Sequence, residues 1–152
     1  ERRAGALPAE IARVYDDLKK LGYTPDAANT NIGSAIFANK PGDGSAREQA
    51  ASCQRVLGGA ANFACEYATK RYRSNCINWG MLPFQLNGAA PFGLGDYILI
   101  PHVREALKGD LQNIPAYVLG EEVKPFALYM APLTSDEREI LADGCLINYY
   151  KR

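Results

Sequence analysis

The stretch Gly42-Asp43-Gly44-Ser45-Ala46-Arg47-Glu48-Gln49-Ala50-Ala51 decides how this chain is read. An apolar, β-branched run from Ile32 to Phe37 leads into it, and a helix-forming run beginning at Ser45 leads out. Strand, glycine turn and helix in that order aim unpaired backbone N–H groups, and the positive end of a helix dipole, at the space above the turn. A carboxylate or another anion fits there. Ser45 brings a hydroxyl, and Arg47 a planar cation able to grip a carboxylate through two parallel hydrogen bonds. The same residues also spell a structural device, because Ser45 followed three positions later by Glu48 is a capping box. On spacing alone both readings stand, and the cap is the commoner outcome.

Working outward, Ser34 to Asn39 reads as a short buried strand and Lys40 to Gly44 as its loop. The helix from Ser45 is expected to reach Leu57, with Ala50, Cys53, Val56 and Leu57 facing inward and Gly58-Gly59 ending it. Ala60 to Tyr67 is apolar enough for a second core strand, so the unit implies a parallel pair. Thr69 to Asn78 reads as a helix stopped by Gly80, and Met81 to Leu86 as a third strand. Upstream, Pro8 to Leu21 is an amphipathic helix with Ile11, Val14, Tyr15, Leu18 and Leu21 on one face. Downstream come a strand at Asp96 to Pro101, a short helix to Gly109, and a hairpin of Ala116–Gly120 with Val123–Met130. A second capping box, Thr134 to Glu137, starts a last helix that buries Ile140 and Leu141, and the tail to Tyr150 is expected to pack down. The sum is one α/β domain over residues 1–152 with a mixed sheet.

Composition bounds the function. Seventeen basic and seventeen acidic side chains cancel, which removes the electrostatic drive for nucleic-acid binding. The cluster Lys70-Arg71-Tyr72-Arg73 reads as a solvated helix face. No apolar run nears the roughly 18 residues that span a bilayer, and no apolar core follows Arg2 and Arg3, so neither membrane nor secretory signal is expected. Cys53, Cys65, Cys76 and Cys145 form no Cys-x-x-Cys pair, so no metal ligands are expected in this chain. Cys53 and Cys65 read as small buried hydrophobes, reduced in a cytoplasmic setting. His102 reads as a surface or capping residue and Trp79 as core. The chain opens on Glu1 rather than Met and is expected to be a piece of a larger enzyme.

Gly44 to Ala51 resembles the Gly-Ser-Ser-Arg-Glu-His-Ala-Ala signature of the aconitase family's swivel domain. Arg73-Ser74-Asn75-Cys76-Ile77-Asn78-Trp79-Gly80-Met81-Leu82-Pro83-Phe84 resembles that family's Arg-Ser-Asn-Leu-Ile-Asn-Phe-Gly-Ile-Leu-Pro-Leu block, in the right order and at a fitting distance. The resemblance implies a swivelling β/β/α fold and a hydro-lyase acting on a citrate- or isocitrate-like acid. It implies Ser45 as a base in alkoxide form and Arg47 as carboxylate clamp, with Gly44 and Ala46 beside the substrate. It also implies a [4Fe–4S] cluster on partner domains, in the same polypeptide or a separate subunit, and none on this chain. A further clamp arginine of the family lies upstream, and neither Arg2 nor Arg3 has the context to replace it. Three departures stand out: Ala46 replaces the second serine, Gln49 the histidine, and Tyr67-Ala68 stands where Ser-Phe is usual. The rival readings are the small subunit of an isopropylmalate isomerase and a degenerate or RNA-regulatory domain; the charge balance disfavours RNA, while Ala46 and Gln49 leave degeneracy open.

Overall fold

A computed structural model of the chain describes residues 8–26 and 28–152. Arg2 and Arg3 lie outside them. The first half runs α1 (Ala9–Lys20), β1 (Ser34–Ala38), α2 (Arg47–Val56), β2 (Gly59–Ala64), α3 (Lys70–Asn78) and β3 (Leu82–Gln85). Helical crossovers let successive strands run the same way, and β1-β2-β3 form a parallel sheet in chain order. Its register sets Phe37 beside Phe63 and Phe63 beside Phe84. The second half runs β4 (Tyr97–Leu99), α4 (Val103–Lys108), β5 (Ile114–Leu119), β6 (Lys124–Leu128), α5 (Ser135–Asp143) and α6 (Leu146–Tyr149). Here β4-β5-β6 is an antiparallel meander.

Both kinds of pairing are therefore present, as the sequence implies, but each keeps to its own sheet. The sheets meet at one antiparallel bridge, where Gln85 N–H donates to Tyr129 O at 2.7 Å and Tyr129 N–H to Gln85 O at 2.9 Å. Phe63, Ile77, Phe84, Ile114, Leu128 and Met130 share one buried cluster, so both halves close over a common core.

Two expectations fail, each because tertiary context overrides local pattern. Strand β1 is not buried but forms the sheet edge, with Ile36 and Phe37 largely exposed. Helix α2 turns a different face inward, burying Ala51 and Gln54 while Val56 and Leu57 stand 79% and 82% exposed. Cys53 is exposed with them, contrary to its reading as a buried hydrophobe. The cause is Asn62, a buried amide in the middle of β2. A buried polar group requires a partner, and Gln54 supplies it by donating to Asn62 Oδ1 and, at 3.3 Å, to Ala61 O. At the C-terminus Ile147 and Tyr150 are exposed, so the tail packs only in part. The second capping box forms as read, and Gly144 closes α5 in the left-handed region.

Candidate carboxylate-binding site at the start of α2

The loop between β1 and α2 has a fixed root and an open tip. At the root, Gly42 has φ +95, and a Cβ there would sit 2.5 Å from the Cβ of Tyr72, so only glycine lets the chain lie on that ring. Glu66 N–H donates to Asn39 O at 3.0 Å, Ala68 N–H to Pro41 O at 2.9 Å, and Thr69 Oγ1 to Gly42 O at 3.2 Å. Thr69 also caps α3, accepting from Tyr72 N–H. Beneath the root, Asn62 Nδ2 donates to Tyr72 Oη at 3.1 Å and to Cys76 Sγ at 3.4 Å. Tyr67 Oη donates to Phe84 O at 3.2 Å. Burial pushes the Tyr72 phenol up to about 12 and the Cys76 thiol up to about 11, and it raises Tyr67 in the same direction. These groups are neutral near pH 7 and serve as a rigid support.

The tip is different. Asp43, Gly44, Ser45 and Ala46 are exposed, and nothing lies within 4 Å of the space a Gly44 side chain would take. Helix α2 starts at Arg47, two residues later than expected, with Ala46 as N-cap and no side-chain cap bond. The capping box at Ser45 is therefore not formed. Instead Glu48 Oε1 accepts from Trp79 Nε1 at 2.8 Å, and Trp79 is half-buried rather than core. Arg47 is half-buried, and its Nε is buried without a hydrogen-bond partner. Arg73 Nε is buried and unpartnered too, so the orphan at Arg47 draws its meaning from its place at an uncapped helix start, where an anion would satisfy it. Gln49 is exposed.

Gly44, Ser45, Ala46 and Arg47 thus share one outward bend, while the other candidates lie apart. His102 is exposed at the start of α4 with φ 54, in keeping with its surface reading. Lys70 and Arg71 are solvated, but Tyr72 is buried, and Arg73 turns toward α5, donating to Pro132 O at 2.9 Å. A cavity of about 330 Å³ opens beside Leu86, Gln112, Phe126 and Tyr129, and one of about 20 Å³ lies under the loop root between Pro41, Asn62 and Tyr72. Neither is lined by the bend, which is an open surface feature and not a closed pocket. Among the described residues no three His, Cys, Asp or Glu side chains gather to hold a metal ion, and no helix is long and apolar enough to cross a membrane. Sequence reading missed Asn62, Tyr72 and the Glu48–Trp79 pair. The visible signals were a lone amide inside the apolar run from Ala60, and Trp79 in place of a phenylalanine.

Residues 25–89 match the model of the aconitase C-terminal domain. Among solved structures, a 3-isopropylmalate dehydratase from Methanocaldococcus jannaschii is similar at 31% identity and a TM-score of 0.52. The match covers 77% of this chain and 62% of that one, so the chain spans less than two thirds of the relative's length. No curated protein matches it.

Proposed function

We infer, from the aconitase C-terminal domain matched over residues 25–89, that this chain is the substrate-gripping mobile domain of an aconitase-type hydro-lyase. The reaction removes water from a hydroxy di- or tricarboxylic acid and adds it back at the neighbouring carbon. The observation that carries this reading is the uncapped start of α2, with Ser45 exposed and Arg47 Nε buried without a partner.

A proton on carbon beside a carboxylate is weakly acidic, and breaking that C–H bond spreads negative charge onto the carboxylate. Arg47 holds the carboxylate and offsets the charge as it develops. The free N–H groups in the first turn of α2 add partial positive charge on the same side. Ser45, as alkoxide, takes the proton and returns it on rehydration. A hydroxyl reaches that form only where nearby donors stabilise the oxyanion, and on this reading the free N–H groups at the start of α2 would turn to it when substrate binds. Gly44 and Ala46 leave room for the substrate, and Ala46 forgoes the hydroxyl contact of the family's second serine.

Among the described residues the four cysteines stand apart, and no three Cys, His, Asp or Glu side chains gather as ligands of an iron–sulfur cluster. No step above runs through one. A cluster on partner domains would supply a Lewis acid for the substrate hydroxyl, and those domains would form the missing wall of the site. All four cysteines are free, which supports a cytoplasmic setting. A second reading, favoured by the likeness to a 3-isopropylmalate dehydratase, makes the chain a subunit acting on an isopropyl-substituted malate.

The test is Ser45→Ala in the intact, cluster-loaded enzyme assayed with citrate, isocitrate and 3-isopropylmalate. Turnover is expected to fall by about 10²–10⁴-fold with folding unchanged, and the acid turned over by the wild type decides between the two readings. Full turnover in Ser45→Ala overturns the role given to the serine.

A further inference from the structure

Ser45-x-x-Glu48 has the sequence of a capping box and would close one if left to itself. In that arrangement the Ser45 hydroxyl accepts from the Glu48 N–H, and the Glu48 carboxylate folds back on the helix start. Both groups would then occupy the place of the anion. The structure holds them apart: Glu48 is engaged by the Trp79 indole at 2.8 Å, and the helix begins at Arg47 with Ala46 as an inert N-cap. Trp79 is itself fixed as the C-cap of α3, its N–H donating to Asn75 O at 3.1 Å, and Gly80 behind it backs onto Gly144 so closely that a Cβ would meet Gly144 O at 1.6 Å. The backbone that carries the indole is thus held on two sides, and the ring packs, half-buried, against the cluster of Ala51, Tyr72, Cys76 and Met81. A phenylalanine in its place has no N–H to offer.

We propose that Trp79 is a positioning residue that keeps the acid site open by drawing Glu48 out of the capping box. This rests on the functional reading above but concerns a residue that touches no substrate. The capped and open forms compete, and substrate binds only the open one. Losing the indole N–H therefore lowers the binding-competent fraction and raises KM, while kcat, set by the open form once occupied, stays put.

The experiment compares Trp79→Phe, Glu48→Ala and the double variant in the intact enzyme. Trp79→Phe is expected to raise KM about tenfold, the effect of one N-cap, at unchanged kcat. Adding Glu48→Ala is expected to bring KM back to that of Glu48→Ala alone. Unchanged KM in Trp79→Phe overturns the proposal. So does a raised KM that Glu48→Ala does not reverse, because the ring would then act only by packing. A second measurement is independent of turnover: amide exchange at Glu48 N–H, followed by NMR in this chain. It is expected to be fast in the wild type and about tenfold protected in Trp79→Phe, as Ser45 Oγ takes the bond. No gain in protection overturns the proposal. Should the wild type turn over no hydroxy acid, the hydro-lyase reading falls and the exchange result alone decides for or against Trp79.

Discussion

Two helices in this molecule begin with the same four-residue pattern and end up with opposite chemistry. At α5, Thr134 accepts from Glu137 N–H at 3.2 Å and Glu137 returns the bond to Thr134 N–H at 2.9 Å. Both halves of the box are occupied, and Glu137 also meets Arg73 at 3.5 Å. At α2, the serine and glutamate are equally spaced, yet Ser45 bonds nothing among the described residues and Glu48 looks away to Trp79. Saturated helix starts hold a fold together, whereas unsaturated ones are available to a ligand. The difference lies in what the rest of the fold offers the glutamate.

The sharpest way to break this comparison is to truncate Arg47. Arg47→Ala is expected to cut kcat/KM of the intact enzyme by about a hundredfold, the worth of a charge-assisted carboxylate grip, at unchanged melting temperature. A parallel loss of stability would show that Arg47 is structural. Next in size is alkaline pH, which probes the buried support beneath α2. Burial holds Cys76 protonated up to about 11 against an ordinary 9.0, so the unfolded chain loses this proton first. Stability is then full below pH 9.0 and falls by on the order of 2 kcal/mol as pH rises toward 11. Tyr72, raised from 10.0 to about 12, extends the fall in the same direction. Urea midpoints that stay flat over that range would contradict the neutral root.

Arg138 on α5 is the counterpart of Arg47, donating to Leu107 O at 2.6 Å and to Gly109 O at 3.0 Å. Arg138→Ala is expected to cost about 2 kcal/mol of stability and to leave the affinity for substrate alone. Smallest is the cap itself. Thr134→Ala should cost about 1 kcal/mol in urea unfolding, and Ser45→Ala less than about 0.3 kcal/mol. Equal costs would mean that the first capping box forms in solution after all.

What the sequence made legible follows the same line. The turn at Gly42 and the cap at Thr134 depend on residues a few positions apart, and both were readable from spacing. The face of α2 was not, because it is decided by Asn62, whose amide makes Gln54 a better inward residue than Val56 or Leu57. Nor was the exposure of β1, since edge or centre is a property of strand order and not of the strand. The site was half legible. Ser45 and Arg47 were visible as types, but the freedom of Ser45 hangs on Trp79, far along the chain and bonded to the one residue that would have quenched it.

Trp79 is also the only tryptophan among the 152 residues. All indole fluorescence of this chain therefore originates one hydrogen bond away from the bend proposed to receive the acid. A carboxylate held at Arg47 would change the electric field at that single chromophore, and its emission colour would then be a label-free gauge of occupancy.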